Sequence, residues 1–545
     1  MSVIQAILVA LAYTFARSAF NFGLGNYVFS QPLVAGMLVG LLLGDPVRGA
    51  AIGGVLNLAS LGLSQLNLKL GPDVALIGYV GVPLILLSGL QVDAPQTALI
   101  LTALIALGTL LNFTRGLVNT IFAHWADFFA ETGEIGVVSG VTILPSQVWL
   151  FISSFLPVLL LLRVDTGLLF DLANSISPWV LAAFVACQYL LAALGIALSL
   201  SLVMRGSGVA YLLLGWLASQ AMGLVPATIL GGSIAAIHAY LARKKRDSKT
   251  DSTSLIPDTL PDDEDGDDLE SPQSLSVVQV SSSFVLWAFF HDAALNFQRF
   301  QNLGFATALA PIGQRLCTTA EARTAFLRRH LTLFNTEWSV GSYIVGAAAA
   351  LEERKANGDA ISDGEFAGAK TSAMASLGVL GDALVGGLIT SVLVAMGSRL
   401  AQLNSLLGPV LFIICESAAV LGIALFAFQL GYRQTRHWAT WARANDWLRA
   451  GLFGAVRLGT FVLGALVLGY AGIHLPQNAS ITIGDAVISL NSLVNGIAPR
   501  ILPLLLVMWL WWQLRYKQAN PLALLFVCIA LAFGACWVFG KFGWL

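Results

Sequence analysis

The stretch RRHLTLFNTEW, Arg328 to Trp338, gathers two arginines, a histidine, an asparagine, two threonines and a glutamate within eleven residues. Its chemistry is charge pairing and hydrogen bonding. It offers guanidinium forks for carboxylates or phosphates, an imidazole that titrates near neutrality, and amide and hydroxyl groups that both donate and accept. A second polar set, Gln31, Asp45, Asn57, Gln65, Asn67, Lys69 and Asp73, interrupts the apolar sequence of residues 31–73. An ionisable group at membrane depth needs a partner or a water-filled cavity, so such residues mark either caps and pairs or a path for a ligand. No Ser/His/Asp constellation, activated cysteine setting or HExxH pair is present, which argues against a self-contained membrane enzyme. Cys187, Cys317, Cys415, Cys528 and Cys536 stand singly, without a CxxC pair, and read as small apolar residues. No metal or cofactor is implied. A net charge of −1 leaves no footprint for nucleic acid.

The elements that must hold these groups are membrane helices. The chain is 57% hydrophobic and 11% charged. Apolar runs such as Val180–Met204, Leu406–Phe428 and Pro521–Phe539 reach the ~20 residues that cross ~30 Å of hydrocarbon. Only helices and closed barrels satisfy their backbone in lipid, and the alternation of a barrel is absent, so an all-α polytopic membrane protein is expected. The opening MSVIQAILVALAYTFARSAF lacks a basic start and runs into further apolar sequence, which reads as a retained first helix. Residues 243–283, beginning RKKRDSKTDS and continuing through PDDEDGDDLE, cannot bury a core and read as a disordered, solvated linker. The basic residues Arg243 to Arg246 favour its cytoplasmic placement. Two membrane units result, 1–242 and 284–545, in the manner of two fused genes.

Within the first unit, glycines at 36, 40, 44, 49, 53 and 54 let helices approach closely, and broken segments are also how transporters expose backbone to substrate. Asp45, beside a turn and an arginine, reads as a cap. Asp73, after a proline and before an apolar run, reads equally as a cap or as a ligand contact. In the second unit, Thr318-x-x-Glu321 predicts a capping box opening an amphipathic helix. Leu327, Leu331 and Phe334 fall on one face, with Arg323, Arg328 and Arg329 around the other. Such a helix lies at the membrane surface rather than crossing it. His330 there packs or hydrogen-bonds, and Asn335 and Thr336 follow where the element dips toward a ligand path. The next helix, ending in LEERKANG, stops at its Asn-Gly.

QPLVAGMLVGLLLGDPVRGAAIGGVLNLASLG, then GPDVAL and HWADFFAETGEI, resembles the IIC subunit of the mannose-family sugar phosphotransferase permeases over most of residues 3–240. LNFQRFQNLGF, AEARTAFLRRHLTLFNT, ALEERKANG and LGVLGDALVGG resemble the IID subunit over 284–540. The resemblance implies two similarly folded, oppositely inserted bundles in a bacterial inner membrane, assembling as homo-trimers of the fused chain. It implies a hexose passed to a separate IIB protein, itself charged through IIA, with no phosphorylated residue in this chain. Sugar contacts would come from Gln31, Asn57, Gln65, Asp73, Asn296, Gln298 and Asp382, while Arg328, Arg329, His330, Asn335 and Thr336 would face the partner or gate the path. Several positions depart from the family. Gly25, Asn26, Ser30 and Gln31 replace an acidic and basic run, Asn57 and Gln298 stand for glutamates, and Ser376 and Ala383 for prolines. These losses raise an alternative, a receptor that keeps the scaffold without transporting.

Overall fold

A computed structural model describes residues 1–65, 71–92, 94–164, 171, 175–204, 208–250, 274–433, 446–470, 480–483, 486–489, 492 and 501–541. The first half supplies α1 (Val3–Arg17), α2 (Pro32–Leu43), α3 (Pro46–Gln65), α4 (Val74–Ser88), α5 (Pro95–Ala130) and α6 (Ile135–Leu161). It continues with α7 (Pro178–Val203), α8 (Gly208–Met222) and α9 (Leu224–Thr250). The second half supplies α10 (Val277–Phe290), α11 (Asn302–Leu316), α12 (Ala320–His330), α13 (Trp338–Ala356) and α14 (Asp363–Gln402). After them come α15 (Leu407–Arg433), α16 (Asp446–Tyr470), α17 (Ile501–Tyr516) and α18 (Pro521–Lys541). The fold is all-α as expected, with a short antiparallel hairpin, β1 (Ser480–Ile483) with β2 (Ala486–Ser489), among the described residues.

Six helices among the described residues are long and apolar enough to cross a membrane: Pro95–Ala130, Ile135–Leu161, Pro178–Ser201, Asp363–Gln402, Leu407–Arg433 and Ala523–Lys541. Their outward faces carry bare apolar side chains, Leu144 at 70% exposure for example, which fits lipid rather than water as the surrounding solvent. α2 and α3 form a hairpin. A Cβ on Gly36 would stand 2.4 Å from the Gly49 carbonyl oxygen and one on Gly53 2.2 Å from that of Pro32, so backbone meets backbone there. Gly44, in the left-handed region at φ 92°, ends α2.

The halves share their cores. Leu33 and Val39 of α2 pack in one cluster with Val394 and Phe412, while Phe122 and Ile135 pack in another with Phe305 and Phe326. Among the described residues, three segments wind as π-helix: Gly25–Phe29, Ile77–Gly81 within α4, and Asp382–Thr390 within α14. Such segments are rare and collect at functional sites.

Local boundaries depart from expectation in four places. α10 starts at Val277, inside the stretch read as linker, because Ser276 and Gln279 form a capping box ahead of the run VVQV. α9 likewise carries on through Arg243 to Thr250, while residues 251–273 lie outside the described residues. α12 is capped by Thr319, whose hydroxyl accepts from Ala322 N–H, so the Thr318–Glu321 box does not form. That helix also ends at His330, leaving Phe334 beyond it, in an extended turn whose carbonyl accepts from Gln301 N–H. The Asn-Gly stop holds: Asn357 ends α13 and Gly358 takes φ 102°.

Candidate functional site

A cavity of about 260 Å³ opens between the two halves. From the first half its wall takes Arg17 at the end of α1, Asn26 of the first π segment, Gln31 ahead of α2, and Asn112, Arg115 and Asn119 of α5. From the second it takes His291 and Asp292 after α10, Trp338 at the start of α13, and Asp382 and Thr390 at the two ends of the third π segment.

Behind the first wall lies a buried network. Asp73 caps α4, its Oδ1 accepting from Ala75 N–H at 3.1 Å, while Tyr13 donates to its Oδ2 at 2.8 Å. Arg17 Nε approaches the same oxygen at 3.1 Å, off its N–H axis, so the contact is an ion pair without a straight hydrogen bond. The other Arg17 nitrogens donate to Asn26 and Asn112 at 2.9 and 3.0 Å. Asn112 also accepts from Arg115, which reaches Ser154 at 2.9 Å. One carboxylate with no exposed surface thus fixes the guanidinium that the cavity meets.

The opposite wall is tied to the first by polar contacts across the halves. Tyr27 donates to Glu337 Oε1 at 2.8 Å, and Glu337 also caps α13 through Ser339 and Val340 N–H. Asp292 accepts from Gln301 at 2.8 Å, and Gln301 in turn accepts from Thr336 N–H. Trp338 stacks on His291 with ring centroids 5.0 Å apart and 15° between planes. Amides, guanidinium groups and carboxylates thus face a small cavity from both sides, beside an indole. That combination offers donors and acceptors in several directions and suits a compact, polyhydroxylated ligand.

The same division into halves recurs in known proteins. Residues 275–541 match the family described as the PTS system mannose/fructose/sorbose family IID component, and residues 3–239 match the PTS system sorbose-specific IIC component. A mannose-specific EIID component of Escherichia coli (strain K12) is 35% identical over 252 residues, covering 45% of this chain and 88% of that protein. A sorbose-specific EIID component of Klebsiella pneumoniae is 34% identical over 243 residues, 44% of this chain and 88% of that one. The mannose-specific EIIC component of E. coli (strain K12) is 26% identical over 232 residues, 41% of this chain and 83% of that one. The chain belongs to the mannose/fructose/sorbose family of phosphotransferase-system permeases. It carries IIC and IID permease components in one polypeptide, a multi-pass protein of the bacterial inner membrane.

The permease cavity takes two of the seven expected contact residues directly, Gln31 and Asp382. Asn57 acts one step back. Its Oδ1 accepts from Leu33 N–H at 3.0 Å, doing the work of an α2 cap, and its amide donates to Gln31. Asp73 likewise works through Arg17. Asn296 is wholly buried, bonding Phe300 and Asn302 to shape the turn after α10, and does not line the cavity. Gln298 is exposed and turns to His124 at 3.2 Å, outside the cavity, because the chain reverses at Asn296. The Gln65 side chain lies outside the described residues. Arg17, Asn112, Arg115, Asn119, His291 and Trp338 escaped sequence reasoning. The signal was available in Arg17, a charge closing the apolar run of α1, and in His291-Asp292 following another.

The surface helix α12 also divides unexpectedly. Arg328 is exposed and pairs with Glu131, the residue that ends α5, whereas Arg329 and His330 turn inward. Arg329 donates to Glu352 at 2.8 and 3.1 Å and to Asp363, and His330 Nε2 meets Glu352 at 2.9 Å. A water-facing charge was expected at both arginines, but Glu352 on α13 supplies a buried carboxylate that draws Arg329 in, while His330 packs and hydrogen-bonds. Burial holds the His330 imidazole below its ordinary range, against the pull of Glu352. Its Nδ1 has no partner, which fits a neutral ring donating from Nε2. Asn335 N–H meets Met374 Sδ at 3.4 Å and Thr336 packs at Gly341, so both brace the start of α13 two or three residues before Trp338.

Proposed function

We propose that the cavity between the halves is the sugar site of this permease, holding one hexose that is released to a separate IIB protein for phosphorylation. The observation that carries the reading is that both components wall a single polar cavity, with Arg17 and Asn26 on one side and Asp292, Trp338 and Asp382 on the other. Closing and opening of the halves around these groups is how access would alternate, and the π segments that border the cavity are the natural places for that adjustment. Arg328 and the exposed face of α12 are assigned to the cytoplasmic approach of IIB. The units 1–242 and 284–545 act as one permease, and three copies form the assembly.

The test is uptake of a labelled panel of hexoses and amino sugars in cells lacking their own mannose-family permease. The cells express this chain with its genomic IIA and IIB neighbours. Sugar phosphate that accumulates and vanishes in a IIB phosphohistidine mutant supports the proposal and names the sugar. No uptake by protein present and folded in the membrane would defeat it.

A further inference from the structure

The membrane helix α15 buries a carboxyl group that no part of the cavity network uses. Glu416 has no exposed surface. Thr390 Oγ1 lies 2.5 Å from its Oε1, and Oε2 has no hydrogen-bond partner. Thr390 itself lines the cavity; Glu416 does not.

No counter-charge is at hand. No lysine, arginine or histidine pairs with Glu416 among the described residues. Of the elements packed on α15, the start of α13 brings Glu337, already engaged by Tyr27 and by its own cap. The charges at the other end of α13, Glu352 to Lys355, sit level with Tyr432, which donates to Glu353. That level is about 24 Å along the helix from Glu416 at 1.5 Å per residue. The part of α14 packed on α15, Asp382 to Gln402, brings Asp382, whose neighbour Gly381 abuts Glu337, and Arg399, bonded to Gln402; Lys370, earlier on α14, reaches Thr332. The first π segment brings only Tyr27, and α2 brings nothing titratable.

An ionised carboxylate with one oxygen orphaned and no cation costs several kcal/mol in such surroundings, so the neutral acid is the stable form. Its proton has one place where it can be used. On Oε1 it donates to Thr390 Oγ1; on Oε2 it would be a buried donor without an acceptor, the dearer orphan. A hydroxyl has one proton and two lone pairs. Once Thr390 accepts from Glu416, its own O–H is free to turn to the cavity as a donor. Were Glu416 ionised, Thr390 would spend that proton on the carboxylate and show the cavity lone pairs only.

We propose that Glu416 is a protonated positioning residue that fixes Thr390 as a hydrogen-bond donor, directed at an acceptor oxygen of the ligand. The inference rests on the cavity being the sugar site, and its test separates the two. In membranes at neutral pH, the infrared difference between wild type and Glu416→Gln reads the protonation without any transport. A protonated-carboxyl C=O band lost in the variant supports the proposal, and loss of carboxylate bands alone overturns it. For uptake, Glu416→Gln retains an amide donor toward Thr390 and is expected to keep KM within about twofold. Glu416→Leu removes it and raises KM about fivefold to tenfold, the scale of one net hydrogen bond, with kcat held. Thr390→Val raises KM as much, and adding Glu416→Leu to it changes nothing further. A Glu416→Leu KM equal to wild type overturns the positioning role. A wild type that carries no sugar defeats the proposed function instead, and the infrared result still decides the state of Glu416.

Discussion

Arg17 and Asp73 stand 3.1 Å apart at the inner edge of the cavity, one lining it and the other sealed behind. The pair divides the labour between a cap and a contact. Asp73 spends its oxygens on Ala75 N–H, Tyr13 and Arg17, and Arg17 carries the resulting order to Asn26 and Asn112. Asp73→Ala leaves a guanidinium and a hydroxyl without their anion and removes the cap of α4. A loss of about 3 kcal/mol is expected, since breaking a buried pair from one side strands the other charge. Thermal unfolding in detergent checks it. The double variant with Arg17→Ala should recover part of the loss, because the two residues are in contact and their effects are not additive. A single variant that melts with the wild type would remove Asp73 from this role.

Acid should loosen the α12–α13 junction before it titrates ordinary carboxylates. An unfolded histidine takes up its proton near pH 6.5, about the model-peptide value. Burial keeps folded His330 below that, so between the two values the unfolded chain binds more protons and stability falls as pH falls. The contribution is whole above about pH 6.5 and is lost on the way down to the folded value. Unfolding midpoints taken from pH 7.5 to 5 should therefore slope more steeply in the wild type than in His330→Gln, whose amide can still donate to Glu352. Equal slopes would assign the acid sensitivity elsewhere.

Neighbouring arginines on α12 should behave oppositely. Arg328 pairs with Glu131 in solvent, where an ion pair contributes little, and Arg328→Ala is expected to leave the melting temperature unchanged. Arg329 is 8% exposed and forks onto Glu352, itself 5% exposed, so Arg329→Ala leaves a buried carboxylate without its cation, held by His330 N–H alone, and costs about 3 kcal/mol. Differential scanning of the two variants decides between them. A loss at Arg328 would show that its pairing supports the fold after all.

Much of this architecture is legible in residue types, because lipid forces helices and helices force apolar runs. The spans Val180–Met204 and Leu406–Phe428 reappear within one to five residues at each end as Pro178–Ser201 and Leu407–Arg433. Caps were less secure. Asn357 ends its helix as expected and Asp73 takes the cap, one of its two readings, yet Thr319 rather than Thr318 caps α12, since adjacent threonines give the same signal one residue apart. Polar residues at membrane depth were the right class to suspect, but the cavity sees mostly their partners. Asn57 presents Gln31, and Asp73 presents Arg17. Which of two bonded side chains faces a cavity depends on helix rotation and on the π segments, and neither is written in residue spacing. The buried acid Glu416 has no periodic or motif signal at all.

The contacts between the halves are dense enough that the covalent link should be dispensable. Beyond Tyr27 and Glu337, Asn119 donates to the Leu295 carbonyl at 3.0 Å, Arg299 forks onto Asp127, and the shared cores place Phe122 in one cluster with Phe305 and Leu33 in another with Phe412. A tether raises the effective concentration of one half for the other but adds no contact of its own. Two chains ending at Thr250 and starting at Leu275, expressed together, should therefore co-purify in equal amounts from a tag on either one. They should also retain whatever uptake the intact chain supports to within about twofold, since the contacts named above all lie outside the deleted stretch. Leu275 N–H bonds Glu353 and Ser276 opens α10, so the second chain keeps its own start. Halves that separate in mild detergent while each stays folded would mean that the link, rather than the interface, holds the permease together.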